Sequence, residues 1–459
     1  MIMNRQPATI IMPVESQVRE LDAKVLLSCL LAERGFPVII GSRAFIHFMV
    51  DRIPRGVYMA KSMRSLSIRM FTILRQLGHE IVAWDEEGLV RWPDEEYYRW
   101  RLSPVTLRMV NRLLAWGEDD ARVLRSYPGY PGTPIHVTGN PRIDLLRPEL
   151  RNFYREKAEL LRREHGDFVL INTNFSKVNH FFSHLSELKK PAEDLAAGGI
   201  ETFDAGKGRL KQQLFEHFLR MLPALCRAVS GHTVVVRPHP AESHLPWREV
   251  AADCPNLRII NEDSVTPWLM AARLLIANGC TTMIESAVLG TPTIAYQPVL
   301  DSRYDDDLPN EVSHRAFTLS ELCEQAVAVM AGELAAVPEA ERRRVLDRHL
   351  AALDGPLAGE RIVEVVEGAG YLEQPPPAVS FSSWSKGLVH NRIRTLSKKI
   401  NMRRPGHRNN LRYHAHRFPG VTVADFEMRL ERFGSLLQRD FSALKVSRLQ
   451  EHIFRIERG

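Results

Sequence analysis

One hydrophobic stretch of this sequence ends in residues that could bind an anion. Residues 234–244 read VVVRPHPAESH, in which three valines lead into Arg237, His239 and Glu242, with a proline on each side of the histidine. In open α/β sheets, ligands bind outside the carboxyl ends of the strands. We therefore expect Arg237, His239, Pro240 and Glu242 beside a bound anion. The competing interpretation is a strand-end histidine satisfied by backbone groups alone.

A second polar group follows another apolar stretch. Residues 276–296 read IANGCTTMIESAVLGTPTIAY, which predicts a strand, a turn at Gly279 and then a helix. Amide groups at a helix start attract phosphate, so Thr281 and Thr282 would bind one and Glu285 would accept hydrogen bonds from ribose hydroxyls. The alternative is an ordinary capping box, with Thr282 as N-cap and Glu285 at the N3 position.

The two groups form one site if their strands belong to one sheet. Arg237 and His239 would then stand across from Thr281 and Thr282 and contact the same phosphate. A departing nucleotide develops negative charge, and donors that are already in position stabilise that charge.

Three consecutive acids follow a third apolar stretch. Residues 81–90 read IVAWDEEGLV, which predicts Asp85, Glu86 and Glu87 at a strand end beside the cleft between two domains. A carboxylate there could take a proton from an acceptor hydroxyl as a general base. The alternative is a charged surface turn that Gly88 closes.

Weaker candidates for the same cleft are polar residues in two other loops. VTGNPRID contains Asn140 and Arg142, and INTNFSKVN contains Asn174. Asx-turn and hinge roles explain these residues equally well. The acids of these motifs are not arranged as Asp-x-Asp, and no P-loop or Gly-rich dinucleotide pattern occurs, so we expect neither a metal nor a cofactor. A helix dipole and basic side chains can neutralise phosphate instead.

The elements that must position these residues form two successive α/β runs. The 459 residues, 44% of them hydrophobic, suffice for two or three domains. Apolar strand patterns alternate with helical patterns from ATIIMPV onward and begin afresh at DFVLINTNF. We predict an α/β fold with two facing doubly wound domains, residues 1–150 on the acceptor side and 151–373 on the nucleotide side. A basic, mostly helical segment, residues 374–459, follows them.

The basic segment predicts a partner. Residues 374–424 contain no Asp or Glu but ten Lys and Arg residues. Such a segment can bind anionic lipid headgroups, so we predict attachment to the inner face of the cytoplasmic membrane. A solvated charge run, or a helical layer packed on the domains, is the alternative. Aromatic residues are sparse within the run, so nucleic-acid binding is not expected.

Cysteine usage and hydropathy favour a cytoplasmic protein. The five cysteines are widely spaced and include no C-x-x-C pair, which indicates neither a disulfide framework nor a zinc site. No apolar run has the length of a membrane span, and the first residues resemble neither a signal peptide nor an anchor.

The acid, histidine and threonine groups together resemble bacterial sialyltransferases and related CMP-sugar transferases of GT-B type. The matching residues are Glu86, Glu87 and Gly88, then His239 and Pro240, then Thr281 and Thr282. The resemblance implies that Glu86 is the general base, with Asp85 as the alternative. It also implies that His239 and the two threonines contact the CMP phosphate and that transfer inverts the anomeric carbon.

Over nearly its full length the chain is also similar to bacterial surface carbohydrate biosynthesis proteins, through IPRGVYMAKSM, TGNPRIDLLRPELR, VVVRPHPAE and CTTMIESAVLGTP. Together the resemblances imply a glycosyltransferase of surface polysaccharide or lipopolysaccharide assembly. Its donor would be a CMP-activated ulosonic sugar of the Kdo, sialic, legionaminic or pseudaminic type, and its acceptor a glycan or lipid-linked glycan. Two alternatives stay open: a CDP-glycerol-type polyol-phosphate transferase, and a non-catalytic scaffold of the same pathway at the membrane.

Overall fold

The computed structural model describes residues 7–91, 93–182, 186, 203–305, 307–405, 407 and 410–459. Arg408 of the basic segment lies outside the described residues. The chain divides into two compact units. The first unit comprises the described residues up to Phe153 together with Asp347–Gly459, and the second comprises Tyr154–Leu346. The predicted boundary near residue 150 is close to the first division, whereas residues 347–459 return to the first unit and form no third domain.

The strands, in chain order, are β1 (Thr9–Val14), β2 (Val38–Ser42), β3 (Gly56–Ala60), β4 (Glu80–Ala83), β5 (Arg112–Ala115), β6 (Ile135–Val137), β7 (Phe168–Asn172), β8 (Thr233–Arg237), β9 (Leu257–Ile259), β10 (Leu274–Ala277), β11 (Thr293–Tyr296), β12 (His314–Ala316), β13 (Leu444–Gln450) and β14 (Ile453–Arg458).

The helices are α1 (Gln17–Glu33), α2 (Arg43–Met49), α3 (Ile68–Gln76), α4 (Asp94–Arg101), α5 (Pro104–Leu107), α6 (Glu118–Ser126), α7 (Pro141–Asp144), α8 (Arg155–His165), α9 (Phe203–Ala228), α10 (Leu245–Ala251), α11 (Val265–Ala271), α12 (Thr281–Leu289), α13 (Asp307–Glu311), α14 (Leu319–Ala331), α15 (Glu339–His349), α16 (Ala358–Glu367), α17 (Phe381–Arg403), α18 (Leu411–Arg417) and α19 (Val423–Leu437). Within the described residues, none of these helices is both long and apolar enough to cross a bilayer.

Each unit is built around one doubly wound sheet. The first has the order β13-β14-β2-β1-β3-β4-β5-β6, and the second has the order β12-β11-β10-β7-β8-β9. Strands β1 to β6 pair in parallel, as do all six strands of the second sheet. The predicted α/β class with two doubly wound sheets is confirmed.

Burial on both faces explains why the central strands are continuously apolar. In β7, Val169 and Ile171 join a core with Phe218 of α9, whereas Phe168 and Leu170 join a core on the other face with Trp268 of α11. Successive strand residues point to opposite faces, so helices on both sides of a parallel sheet require apolar residues at every position.

The C-terminal segment is an integral part of the first unit. The Asp144 carboxylate accepts hydrogen bonds from the amides of Ala358 and Gly359, each 2.8 Å long. Helix α17 packs on α2 and α3, and its buried Asn391 donates to the Asp51 carboxylate over 3.0 Å. The segment is also less helical than predicted, because β13 and β14 form an antiparallel hairpin that extends the sheet beside β2.

Candidate functional site

The carboxyl edge of the second unit's sheet carries the residues expected to bind phosphate. Strand β7 comes first in this unit yet lies inside its sheet, between β10 and β8. The register pairs Ile171 with Ile276 and Asn172 with Arg237, so the three strands end at about the same level. Sheets of this kind bind ligands where the strand order reverses, which here is the edge beside β7 and β10.

The loop after β10 presents a helix start at this edge. Gly279 makes the turn with a φ of +53°, in the left-handed region that glycine adopts without strain. Cys280 follows in an extended conformation as N-cap, so α12 begins at Thr281. The Thr282 hydroxyl lies 2.8 Å from the Cys280 sulfur. Both threonines therefore stand in the first turn, where amide groups attract anions.

The capping-box interpretation of this helix is wrong. Because Cys280 is the N-cap, Thr282 is the second helical residue and Glu285 the fifth. Glu285 is buried, with 5% of its surface exposed, one turn below the helix start. Its role toward a ribose stays a prediction.

The loop after β7 ties the centre of the edge to the start of α12. The Asn174 side chain donates to the carbonyl oxygens of Asn278 and Gly279, over 2.9 and 3.0 Å. Its own carbonyl oxygen accepts a hydrogen bond from the Lys211 ammonium at 3.3 Å. Asn174 therefore stabilises the turn before α12, a structural role that is not the local Asx turn offered as the alternative, and its contact with a donor or acceptor stays a prediction.

Lys211 is a site residue that sequence reasoning missed. It lies in α9 with only 8% of its surface exposed. Burial raises the pKa of the nearby Cys280 thiol above its ordinary value, and the positive charge of Lys211 opposes that rise without reversing it. A signal was available, since Lys207 and Lys211 fall on the same helical face as the buried Leu214 and Phe218. Lysines on the apolar face of an amphipathic helix are rare unless they have a polar partner.

His239 follows β8, on the other side of β7 from the α12 start. Its Nδ1 accepts a hydrogen bond from the Ala241 amide at 3.1 Å. In a neutral imidazole the proton must then be on Nε2, which makes Nε2–H a hydrogen-bond donor. Two strand spacings separate β8 from β10, roughly 10 Å, so His239 and the two threonines line opposite sides of the carboxyl end of β7.

The expectation for Arg237 needs correction. Its guanidinium donates to the carbonyl oxygens of Glu262 and Asp263, over 2.6 and 3.1 Å, and lies 4.9 Å from the Trp268 ring centre. Burial lowers its pKa to about 10. Arg237 therefore holds the loop after β9, and it does not stand across from the threonines as predicted.

Glu242 and Pro240 shape the histidine loop. Glu242 is fully buried, and its carboxylate accepts hydrogen bonds from the Phe175 amide at 2.7 Å and the Thr173 hydroxyl at 2.8 Å. Burial raises the pKa of Glu242 to about 7. Pro240 restricts the backbone of His239 to extended conformations. The structure thus assigns Glu242 to positioning the loop and corrects the expected ligand contact.

In the first unit, Asp85 is enclosed by its own neighbours. The Arg101 guanidinium donates to both of its carboxylate oxygens, one of these contacts being 2.8 Å, and the Tyr97 hydroxyl adds a hydrogen bond of 3.1 Å. Asp85 is 2% exposed. A carboxylate held in this way is a structural ion pair, so the structure argues against Asp85 as the alternative base.

Glu86 and Glu87 have different surroundings. Glu86 is buried, and one of its oxygens accepts a hydrogen bond from the Trp84 indole. Its other oxygen, Oε1, makes no hydrogen bond with the described residues, which leaves it available to a hydroxyl. Glu87 is about half exposed and pairs with Arg101 at 2.9 Å and with Arg19 at 3.9 Å. Glu86 is thus a buried carboxylate, largely shielded from water, and its role as the general base stays a prediction.

A buried charge cluster that was not predicted lies beside these acids. Lys61, directly after β3, pairs with Glu15 after β1 at 2.7 Å and with Glu20 at 3.1 Å. Glu20 also pairs with Lys24 at 2.7 Å. Burial opposes the charged form of Lys61, but Glu20, Glu15 and Glu86 raise its pKa above the ordinary value. Lys61 therefore interacts electrostatically both with the acids that follow β1 and with Glu86, which follows β4.

The remaining predicted residues of the first unit have local roles. Asn140 is buried and caps α7 by accepting a hydrogen bond from the Arg142 amide at 3.0 Å. The Arg142 guanidinium lies 6.0 Å from the centre of the Trp116 ring. The Asx-type alternative thus describes Asn140. Within the described ranges, no three His, Cys, Asp or Glu side chains are grouped as a metal site requires.

Comparisons with known proteins bear on the fold alone. No protein-family model matches the sequence, and no curated protein matches it. The resemblance to surface carbohydrate biosynthesis proteins therefore stays a prediction.

Solved structures are similar in fold at low sequence identity. A variant of the wall teichoic acid polymerase TagF is 11% identical, with a TM-score of 0.50 over 80% of this chain and 90% of that chain. The UDP-GlcNAc 2-epimerase of Methanocaldococcus jannaschii in complex with UDP-GlcNAc and UDP is 12% identical, with a TM-score of 0.48 over 78% and 99%. A putative epimerase of the same name from Listeria monocytogenes is 12% identical, with a TM-score of 0.48 over 82% and 100%. The chain thus has a GT-B-like fold of two Rossmann-type units.

Proposed function

We propose that this protein is a transferase that releases CMP from a cytidine-activated donor during assembly of a cell-surface polymer. The observation that carries this function is the carboxyl edge of the second sheet. There, His239 and the α12 start line opposite sides of the end of β7, and Lys211 adds a buried positive charge. This arrangement suits a nucleotide phosphate.

Two donors share this chemistry. A CDP-glycerol-type polyol-phosphate donor comes first, because one of the solved structures with a similar fold is named a wall teichoic acid polymerase, and teichoic acids are polyol-phosphate polymers. A CMP-activated ulosonic sugar comes second, supported by the acid, His-Pro and threonine motifs. The acceptor is a glycan or a lipid-linked glycan in both cases.

The bond changes are simple for either donor. An acceptor hydroxyl oxygen attacks the β-phosphorus of CDP-glycerol, or the anomeric carbon of a CMP-sugar with inversion. The bond from that atom to the CMP oxygen breaks, and CMP leaves with the electron pair. Glu86 of the first unit takes the hydroxyl proton. In the second unit, His239 Nε2–H, the Lys211 ammonium and the amides of α12 stabilise the charge on CMP, with no metal required.

A CMP-release assay tests this function directly. The donor panel contains CDP-glycerol, CMP-Kdo, CMP-sialic acid, and CMP-legionaminic and CMP-pseudaminic acids, with UDP-GlcNAc as the control donor. We expect one cytidine donor to yield CMP in the presence of a surface-glycan acceptor. Turnover of UDP-GlcNAc alone would contradict the cytidine assignment. Folded protein that binds CMP but turns over no donor would favour the scaffold alternative.

Helix α17 supports a place at the cytoplasmic face of the membrane. Val389, Ile393, Leu396 and Ile400 follow one another at spacings of four, three and four residues, and each is at least 49% exposed. Such spacing places them in one stripe along the helix. The opposite face packs on α2 and α3.

Exposed cations flank this apolar stripe. They are Lys386, Arg392, Lys399 and Arg403. An exposed apolar stripe bordered by Lys and Arg is typical of helices that lie in the membrane interface. Each cation near an anionic surface contributes on the order of 1 kcal/mol, and each fully buried aliphatic side chain about 1.5–3 kcal/mol.

The membrane contact predicts a large effect of two substitutions. We expect Ile393→Glu with Leu396→Glu to weaken co-sedimentation with anionic vesicles at least tenfold, because both apolar contacts are lost and negative charge is added. The matched control is Met428→Glu, an exposed apolar position in α19 of the same unit. Binding should also weaken with salt. Equal binding of the double variant and the control would exclude α17 as the contact.

Point variants are preferable to truncation of the basic segment. Removing the chain after residue 377 would delete β14, whose Ile453 and Ile456 are buried and pair with β2. Loss of an integral strand would expose the core of the first unit, so a loss of vesicle binding could not be assigned to the segment's charge.

A further inference from the structure

A basic cavity lies in the first unit, apart from the phosphate edge of the second. Its volume is about 130 Å³, and it opens at the carboxyl ends of β1 and β2 beneath α17 and α18. The charged residues that line it are Glu15, Arg43, Arg394, Lys398 and Arg417. The last three belong to the basic segment, so part of that segment's charge is turned inward and not toward solvent.

Positive charge exceeds negative charge in the cavity. Four cations line it against the single carboxylate of Glu15. That carboxylate pairs with Arg43 at 2.7 Å and with Arg417 at 2.6 Å, and also with Lys61 at 2.7 Å. Lys61 does not line the cavity and also pairs with Glu20, so the four lining cations against the one carboxylate of Glu15 give the cavity a net positive charge.

Arg394 has a donor that no described residue satisfies. Its Nη1 is buried without a hydrogen-bond partner among the described residues, while Nη2 donates to Nδ1 of His47 at 3.2 Å. Burial lowers the pKa of Arg394 to about 10. An unsatisfied buried donor costs about 1–3 kcal/mol, and more when it is charged. An acceptor atom within the cavity would remove that cost.

His47 does not supply a compensating charge. Its Nδ1 accepts from Arg394, and its Nε2 lies 2.7 Å from the Tyr58 hydroxyl. Burial first, and then the charges of Arg394 and Arg43, hold the pKa of His47 well below its ordinary value. A neutral His47 orients the guanidinium and leaves its charge intact.

We propose that this cavity binds a phosphate group and, given the proposed transferase function, that the phosphate belongs to the acceptor. A phosphate ester carries about −1.5 to −2 charges, which matches an excess of three cations better than a single carboxylate does. Guanidinium groups match phosphate oxygens geometrically. An acceptor held there would lie at the same sheet edge as Glu86, since Glu15, Lys61 and Glu86 follow β1, β3 and β4, which are neighbours in the sheet.

Direct binding tests this site without any donor. Calorimetric titration of the full chain with inorganic phosphate and with glycerol 3-phosphate at low salt should give saturable binding. Arg394→Gln and Lys398→Gln should each weaken it at least tenfold. The control is Arg412→Gln, an exposed cation of α18 that does not line the cavity. Equal weakening by the control, or no binding by the wild type, would overturn the site.

Two further measurements distinguish loss of phosphate binding from loss of folding and identify the molecule that supplies the phosphate. A wild-type melting temperature for Lys398→Gln keeps the result interpretable if Arg394→Gln fails to fold. If an anionic lipid headgroup supplies the phosphate, Lys398→Gln also weakens binding to phosphatidylglycerol vesicles, whereas a soluble acceptor leaves vesicle binding unchanged. If the protein binds phosphate but releases CMP from no donor, the cavity remains a phosphate site and the transferase function is rejected.

Discussion

Replacement of His239 by asparagine is expected to slow CMP release about 10²- to 10³-fold, the usual cost of losing one donor to developing charge. Asparagine can still accept the hydrogen bond that Nδ1 takes from the Ala241 amide, so the loop is retained. Only the Nε2–H donor is lost. The measurement is kcat for CMP release, together with the melting temperature and the affinity for CMP.

The control for this variant is a histidine that flanks the other end of the same strand. His232 stands just before β8, at the opposite end of the strand from His239, and its Nδ1 lies 3.2 Å from the Asp167 carbonyl oxygen. His232→Asn should leave kcat unchanged. Unaltered kcat in His239→Asn, with a wild-type melting temperature, would remove His239 from the mechanism. A similar loss in both variants would indicate a general effect on the second unit.

The edge positions of the site residues were predictable from the sequence, whereas side-chain directions were not. Apolar runs mark parallel strands because those strands are buried on both faces, and residues that follow them must lie at the carboxyl edge. Arg237 and His239 both satisfy that rule. Only the fold shows that Arg237 lies against Trp268 of α11. A pattern along one strand contains no information about the helix packed beside it.

Site residues on elements distant in the sequence were not predicted, because their positions also depend on how helices pack on the sheets. Lys211 precedes the histidine motif by 28 positions and reaches the edge only through the packing of α9 on β7. The inward direction of Arg394 depends in the same way on α17 packing against α2. A run of positive charges can face solvent, a membrane or a cavity, and the sequence does not distinguish these cases. The polar Asn391, one turn before Arg394, does not reveal in the sequence that its face of α17 is buried.

The three acids after β4 illustrate how a single motif divides into separate roles. Consecutive residues at a strand end point in different directions, so one carboxylate meets Arg101, one meets Trp84 and one reaches solvent. Sequence reasoning could place the triplet at the edge but could not rank its members. The geometry separates them: Asp85 is held in an ion pair with Arg101, Glu87 is about half exposed, and the role of the buried Glu86 as the base stays a prediction.

Substituting each acid by its amide should separate these roles. Glu86→Gln is expected to lower kcat by about two to four powers of ten with little change in melting temperature, because it removes the base and keeps the shape. Asp85→Asn should instead destabilise the first unit by about 3–5 kcal/mol, since it leaves the partly buried Arg101 without its main partner. Glu87→Gln breaks only exposed pairs, worth about 0–1 kcal/mol.

The three variants are compared by kcat, by calorimetric unfolding and, for a CMP-sugar donor, by NMR of the product's anomeric configuration. Full activity in Glu86→Gln with a stably folded but inactive Glu87→Gln would move the base one residue along the chain. A folded and inactive Asp85→Asn would restore Asp85 as the base, in spite of its ion pair with Arg101. Retention at the anomeric carbon would reject single displacement for a sugar donor whichever acid is essential, because direct attack by an activated hydroxyl inverts that centre.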